Sequence, residues 1–135
     1  MPWALHEKLA SLTTDVGDLP LSRVLLENDS NYPWLILVPR MPGASEIIDL
    51  DPNEQVQLLG EIDAASRALK AVATFEKLNV AALGNVVKQL HVHVIGRCSS
   101  DATWPKPVWG LAPPVPYDTA ARNVLVNKLR QELKL

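Results

Sequence analysis

The sequence predicts an α+β fold, an antiparallel sheet with helices packed on one face. Three observations predict it. Apolar, β-prone runs come in neighbouring pairs split by turn residues, 22–27 with 34–39 and 77–83 with 86–97. One long stretch of helical periodicity lies between the pairs, and a second closes the chain. Strands that follow one another across short turns pair antiparallel, and such a sheet covers one face and leaves the other available for a site or a partner.

In order, residues 3–12 are read as a short helix, with Leu5, Leu9 and Leu12 at helical spacing and Gly17 and Pro20 stopping it. SRVLLE (22–27) and WLILVP (34–39) flank the turn cluster NDSNYP and form a hairpin. MPGAS at 41–45 breaks the strand. DPNE then starts a helix, with Asp51 as cap, Pro52 in the first turn and Glu54 completing a capping box. Leu59, Ile62, Ser66, Leu69 and Ala73 form its core stripe, with Glu61, Arg67 and Lys70 on the other side. KLNVAAL (77–83) and VVKQLHVHVIGR (86–97) read as two strands joined by a tight turn at Gly84-Asn85. The proline-rich 104–117 stretch is irregular, and a last helix spans about 118–134. The 135 residues form a single domain, 1–135.

Composition narrows the function. Fifteen acidic and 13 basic side chains leave a formal charge of −2 with no long run of either sign, which argues against a nucleic-acid surface while leaving room for a small anionic ligand. The one cysteine, Cys98, allows no intrachain disulfide and reads as an inert thiol. No apolar stretch approaches the roughly 20 residues needed to span a bilayer, and MPWALHEKLASL does not resemble a signal peptide, so a cytoplasmic protein is expected.

The chemistry concentrates in QLHVHVIGR, 89–97. On a strand, Leu90, Val92 and Val94 point to the core while Gln89, His91, His93 and Ile95 share the other face. Three readings of that row are open: exposed polar residues without a task, two ligands of a metal site that would need a third, or a nucleophilic imidazole with its neighbour in support. The last suits an electrophilic phosphorus, because neutral imidazole needs no separate base once its other nitrogen is pinned by a carbonyl.

GNVVKQLHVHVIGR (84–97) resembles the signature of the histidine triad, or HIT, superfamily of nucleotide hydrolases and transferases, in which three histidines alternate with apolar residues. WLILVPR (34–40) and Trp104-Pro105 are similar to flanking features of the same family, so the resemblance covers about residues 20–110. It implies a HIT-like homodimer binding a nucleoside phosphate, with no cofactor or metal required. His91 falls at the nucleophile that becomes nucleotidylated, His93 beside the phosphate and leaving group, and Gln89 where the first triad histidine stands. Gly84 and Asn85 correspond to phosphate donors and Asn79 to a ribose or phosphate contact. Arg97, at the strand end, reads as a phosphate contact or a structural ion pair, and Trp104 and Trp109, flanking the proline-rich loop, as residues that stack on a base, cover the site or anchor the loop. A tight turn at Gly84-Asn85 would pair Asn79 with Leu90 and turn it away from His91. Val86 and Pro42 stand where the family often has a hydroxyl residue and a histidine, and no acidic residue is evident for a ribose.

Overall fold

A computed structural model describes residues 2–135. A short helix α1 (Glu7–Leu12) leads into β1 (Thr13–Asp18), β2 (Ser22–Glu27) and β3 (Trp34–Pro39). A 3₁₀ turn (Ile47–Asp49) precedes the long helix α2 (Pro52–Val72), followed by β4 (Lys77–Ala81), β5 (Val92–Arg97) and α3 (Thr119–Leu133). The five strands form one antiparallel sheet in the order β1-β2-β3-β5-β4. No helix among the described residues is long and apolar enough to cross a membrane.

The two long helices share one face of the sheet, as expected, and the other face is covered by the short helix α1 and loops. On one face α2 and α3 bring Leu58, Ala65, Leu69, Leu129 and Leu133 onto Val24, Leu35, Leu37, Val92 and Val94. On the other, Leu9 of α1, Val87 and Val108 pack on Leu25, Trp34, Ile36 and Ile95. All six residues of β3 and all six of β5 are therefore buried.

Where the pattern was strong, the elements form as read. Asp51 accepts from the Glu54 amide and Glu54 from the Asp51 amide, each at 2.8 Å, so the capping box starts α2. The stripe of α2 is rotated from the expected one. Leu59 is 68% exposed, whereas Glu61 is 3% exposed and takes the backbone amides of Leu21 and Ser22 at 2.8 Å each. Those amides satisfy the buried carboxylate, which periodicity alone assigns to solvent.

Two further expectations change. The helix read over 3–12 forms only over Glu7–Leu12, and Thr13–Asp18 becomes an edge strand. Its pairing with β2 shifts between Asp15 and Gly17, leaving Val16 as a bulge residue fully buried in the core. The run 86–97 is a strand only from Val92, because β4 ends at Ala81 and pairs Ala81 with His93. Residues 82–91 thus make a wide loop in place of a tight turn. Asn79 lies opposite Ile95 and consequently shares the face of the two histidines.

Candidate active site

The wide loop folds back over the end of β5, and Gly84 is where it comes closest. A Cβ at Gly84 would lie 2.6 Å from the Val87 carbonyl oxygen and 3.1 Å from His91 Cε1, so only glycine admits this approach. His91 precedes β5 and His93 lies in it; their rings stand edge to face with centroids 5.0 Å apart. They are 6% and 5% exposed, so the bare polar row anticipated for this face is in fact enclosed.

Hydrogen bonds assign each ring its proton. The backbone carbonyl of Gln89 lies 2.7 Å from His91 Nδ1. A carbonyl only accepts, so Nδ1 carries the proton and the Nε2 lone pair is left without a partner among the described residues. In His93 the order is reversed. The indole N–H of Trp34 donates to Nδ1 at 3.1 Å, and Nε2 donates to the Leu83 carbonyl at 3.2 Å. Burial, and then the neighbouring His91, push the His93 pKa down to about 4 against the raising effect of the Leu83 bond, so this ring is neutral at ordinary pH.

The two rings border a cavity of about 390 Å³. Gly84, Asn85 and Val86 form its rim beside the imidazoles, and Leu9, Leu12, Trp34, Ile36 and Trp109 form an apolar wall. Trp109 meets His93 edge to face at 5.1 Å and Trp34 at 6.1 Å. Two charged residues complete the lining, Lys8 from α1 and Glu27 from the end of β2. Burial, reinforced by Asp29, raises the Glu27 carboxyl to about 7. Among the described residues no three His, Cys, Asp or Glu side chains gather around a common point to hold a metal ion.

The structure thus brings together His91, His93, Gly84 and Asn85. Asn79, Arg97 and Trp104 assemble elsewhere, around a guanidinium that is 1% exposed. Arg97 reaches both carboxylate oxygens of Asp101 at 2.8 and 3.2 Å and donates to Asn79 Oδ1 at 2.9 Å and the Lys106 carbonyl at 2.7 Å. The Trp104 ring lies 5.9 Å from that guanidinium. This is the structural ion pair among the alternatives, and the tryptophan of the loop after β5 that reaches the cavity is Trp109. The Gln89 side chain also leaves the row, bonding the Ala4 carbonyl and the His6 amide.

Sequence reasoning missed Trp34, Glu27, Leu83 and Lys8. Alternation along WLILVP would have placed Trp34 on the histidine face, and alternation along SRVLLE does the same for Glu27 with Leu25. No sequence signal places Lys8 there, because α1 reaches the cavity only through tertiary packing.

Residues 11–100 match the HIT domain. The chain belongs to this family. Three solved HIT proteins extend the likeness over nearly the whole chain. A histidine triad protein from Bradyrhizobium japonicum is 53% identical over 98% of this chain and 99% of that one, with a TM-score of 0.96. One from Marinobacter aquaeolei is 45% identical over 99% and 98%, with a TM-score of 0.95. A third, from Sinorhizobium meliloti, is 37% identical over 96% of each chain, with a TM-score of 0.93. No curated protein sequence matches this HIT-domain chain.

Proposed function

We propose that this HIT-family protein is a hydrolase or transferase of nucleoside phosphates, acting at an α-phosphorus held in an ester, anhydride or amidate. The observation that carries this is the His91 tautomer, with Nδ1–H held by the Gln89 carbonyl and the Nε2 lone pair free at a nucleotide-sized cavity.

In this reading the base and sugar lie against the apolar wall and Glu27 accepts from ribose hydroxyls, while the phosphate sits at Gly84-Asn85. Nε2 of His91 attacks the α-phosphorus, the bond to the leaving group breaks, and that group departs with the bonding electrons. Water then cleaves the phosphorus–nitrogen bond, releasing the nucleoside monophosphate and restoring the imidazole. His93 supports from its neutral form. Its bond to the Leu83 carbonyl is long at 3.2 Å, and a phosphoryl oxygen is the stronger acceptor. From the likeness of 89–97 to the family's motif we propose that Gln89 stands at the first triad position, and that the protein is a cytoplasmic homodimer.

The test is brief exposure to a dinucleoside polyphosphate or an adenylate amidate, with and without chelator, followed by intact-mass analysis. The expected result is a mass increase of one nucleotidyl group on His91, absent in His91→Ala and indifferent to chelator. Binding of adenosine monophosphate with neither adduct nor turnover would replace this reading with that of a nucleotide-binding protein.

A further inference from the structure

We infer that Gln89 is a positioning residue that fastens the amino-terminal segment over the cavity and so sets the affinity for the nucleotide; the ligand part of this rests on the function proposed above. Its carboxamide makes two bonds to a segment more than 80 positions away, Nε2 donating to the Ala4 carbonyl and Oε1 accepting from the His6 amide, both at 2.8 Å. One side chain thus pairs with a stretch of backbone as a neighbouring strand would.

That segment runs directly into a wall of the cavity. Helix α1 has only six residues, too few to hold itself together in water. It is held at its start by His6, whose Nδ1 accepts from the Lys8 amide at 3.1 Å. Upstream, Trp3 and Leu5 pack on the histidine side of the sheet, and the Arg23 guanidinium lies 5.1 Å above the Trp3 ring. From this anchored start α1 delivers Lys8, Leu9 and Leu12 to the cavity lining. The backbone of the same Gln89 meanwhile holds the proton of His91. Residue 89 therefore joins the nucleophile to the strap that closes its site.

Glutamine suits this task better than histidine would. A carboxamide presents an N–H and a C=O side by side, matching the Ala4 carbonyl and the His6 amide. An imidazole carries its donor and acceptor on nitrogens separated by a ring carbon and pointing apart, so it cannot make both bonds. A histidine at position 89 would complete a triad pattern and lose the strap.

Two independent readouts test this. Hydrogen exchange at the His6 and Ala10 amides needs no ligand, so it judges the strap even if the nucleotide reading fails. Protection should fall at both in Gln89→Ala and Gln89→His. Calorimetric titration with adenosine monophosphate should show affinity about tenfold weaker in both variants, and under turnover the loss should fall on KM more than on kcat. A backbone variant keeps the test sound should Gln89 substitutions misfold. His6 has φ −57°, which proline adopts. His6→Pro removes the amide that bonds Gln89 together with the imidazole cap, and His6→Ala removes the cap alone and serves as its control. His6→Pro should match Gln89→Ala, His6→Ala should stay nearer the wild type, and the double variant Gln89→Ala/His6→Pro should be no worse than either single one. Unchanged exchange in Gln89→Ala, or a Gln89→His protein that binds as tightly and turns over faster, would overturn the inference.

Discussion

Trp34 on β3 donates its indole N–H to Nδ1 of His93 on β5 across 3.1 Å, and that one bond fixes which form of the second histidine the cavity contains. A ring whose Nδ1 accepts from an indole cannot take a proton there without losing the bond. Trp34→Phe should therefore raise the His93 midpoint somewhat above about 4, with burial and His91 still holding it below the ordinary imidazole value, read by ring-proton NMR. Stability should fall by about 1 kcal/mol in denaturant unfolding, the usual worth of such a bond.

Glu27 and His93 impose opposite pH slopes on stability. The Glu27 carboxyl is raised from 4.5 to about 7, so between these values the folded state holds a proton that the unfolded state has lost, and stability falls as pH rises. His93 is lowered from 6.5 to about 4, so the unfolded state binds the extra proton and stability falls as pH drops through that range. In the wild type the two partly cancel. Glu27→Gln should unmask the His93 slope, making the protein on the order of 1–2 kcal/mol more stable at pH 6.5 than at pH 4.5 relative to wild type, after allowance for solvent screening. Denaturant midpoints across pH 4–7.5 check this, and an unaltered profile would contradict it.

Gly84→Ala places a methyl 2.6 Å from the Val87 carbonyl and 3.1 Å from the His91 ring. The loop has to shift, which is expected to cost on the order of 1–3 kcal/mol and to displace His91 from its bond to the Gln89 carbonyl. The rate of nucleotidyl transfer to His91 should fall at least tenfold. Gly43→Ala is an informative contrast, because nothing lies within 4 Å of its Cβ and the cost there comes from its φ of +76° alone.

Arg97 holds Asp101, Asn79 and the Lys106 carbonyl in one buried cluster. Lysine keeps the charge and loses the fork that serves several acceptors at once. Arg97→Lys should therefore lower stability by roughly 2–4 kcal/mol, measured by chemical unfolding, with Asp101 left incompletely paired. A loss under 0.5 kcal/mol would show that the cluster contributes little.

Legibility in the sequence tracked how local the cause was. Asp51, Pro52 and Glu54 act within one turn, and α2 begins where they place it. The alternation around His91 and His93 is likewise a property of the chain itself, and it put both rings on one face with Leu90, Val92 and Val94 on the other. The strand was read too long because VVKQL is as β-prone as the residues that do pair. Only the end of β4 at Ala81 decides that residues 82–91 form a loop, whose Gly84, Asn85 and Val86 supply the cavity rim.

Arg97 shows the same division at the level of one side chain. Position in the motif allowed either a phosphate or an ion pair, and Asp101, Asn79 and the Lys106 carbonyl converge on it only once β4 and β5 are paired and the loop after β5 is folded. Gln89 read as a gap in a pattern, and folding turned it toward a segment at the far end of the chain.

The order of residues was enough to settle the α+β class, the long helix with its cap and the pair of imidazoles on a common face, because periodicity and capping act over a few neighbouring residues. Tertiary structure alone decided which nitrogen of each imidazole holds its proton, which tryptophan of the loop after β5 meets the cavity and what Gln89 binds. Those outcomes depend on donors and acceptors tens of residues apart, and the chain states no distance between them until it is packed.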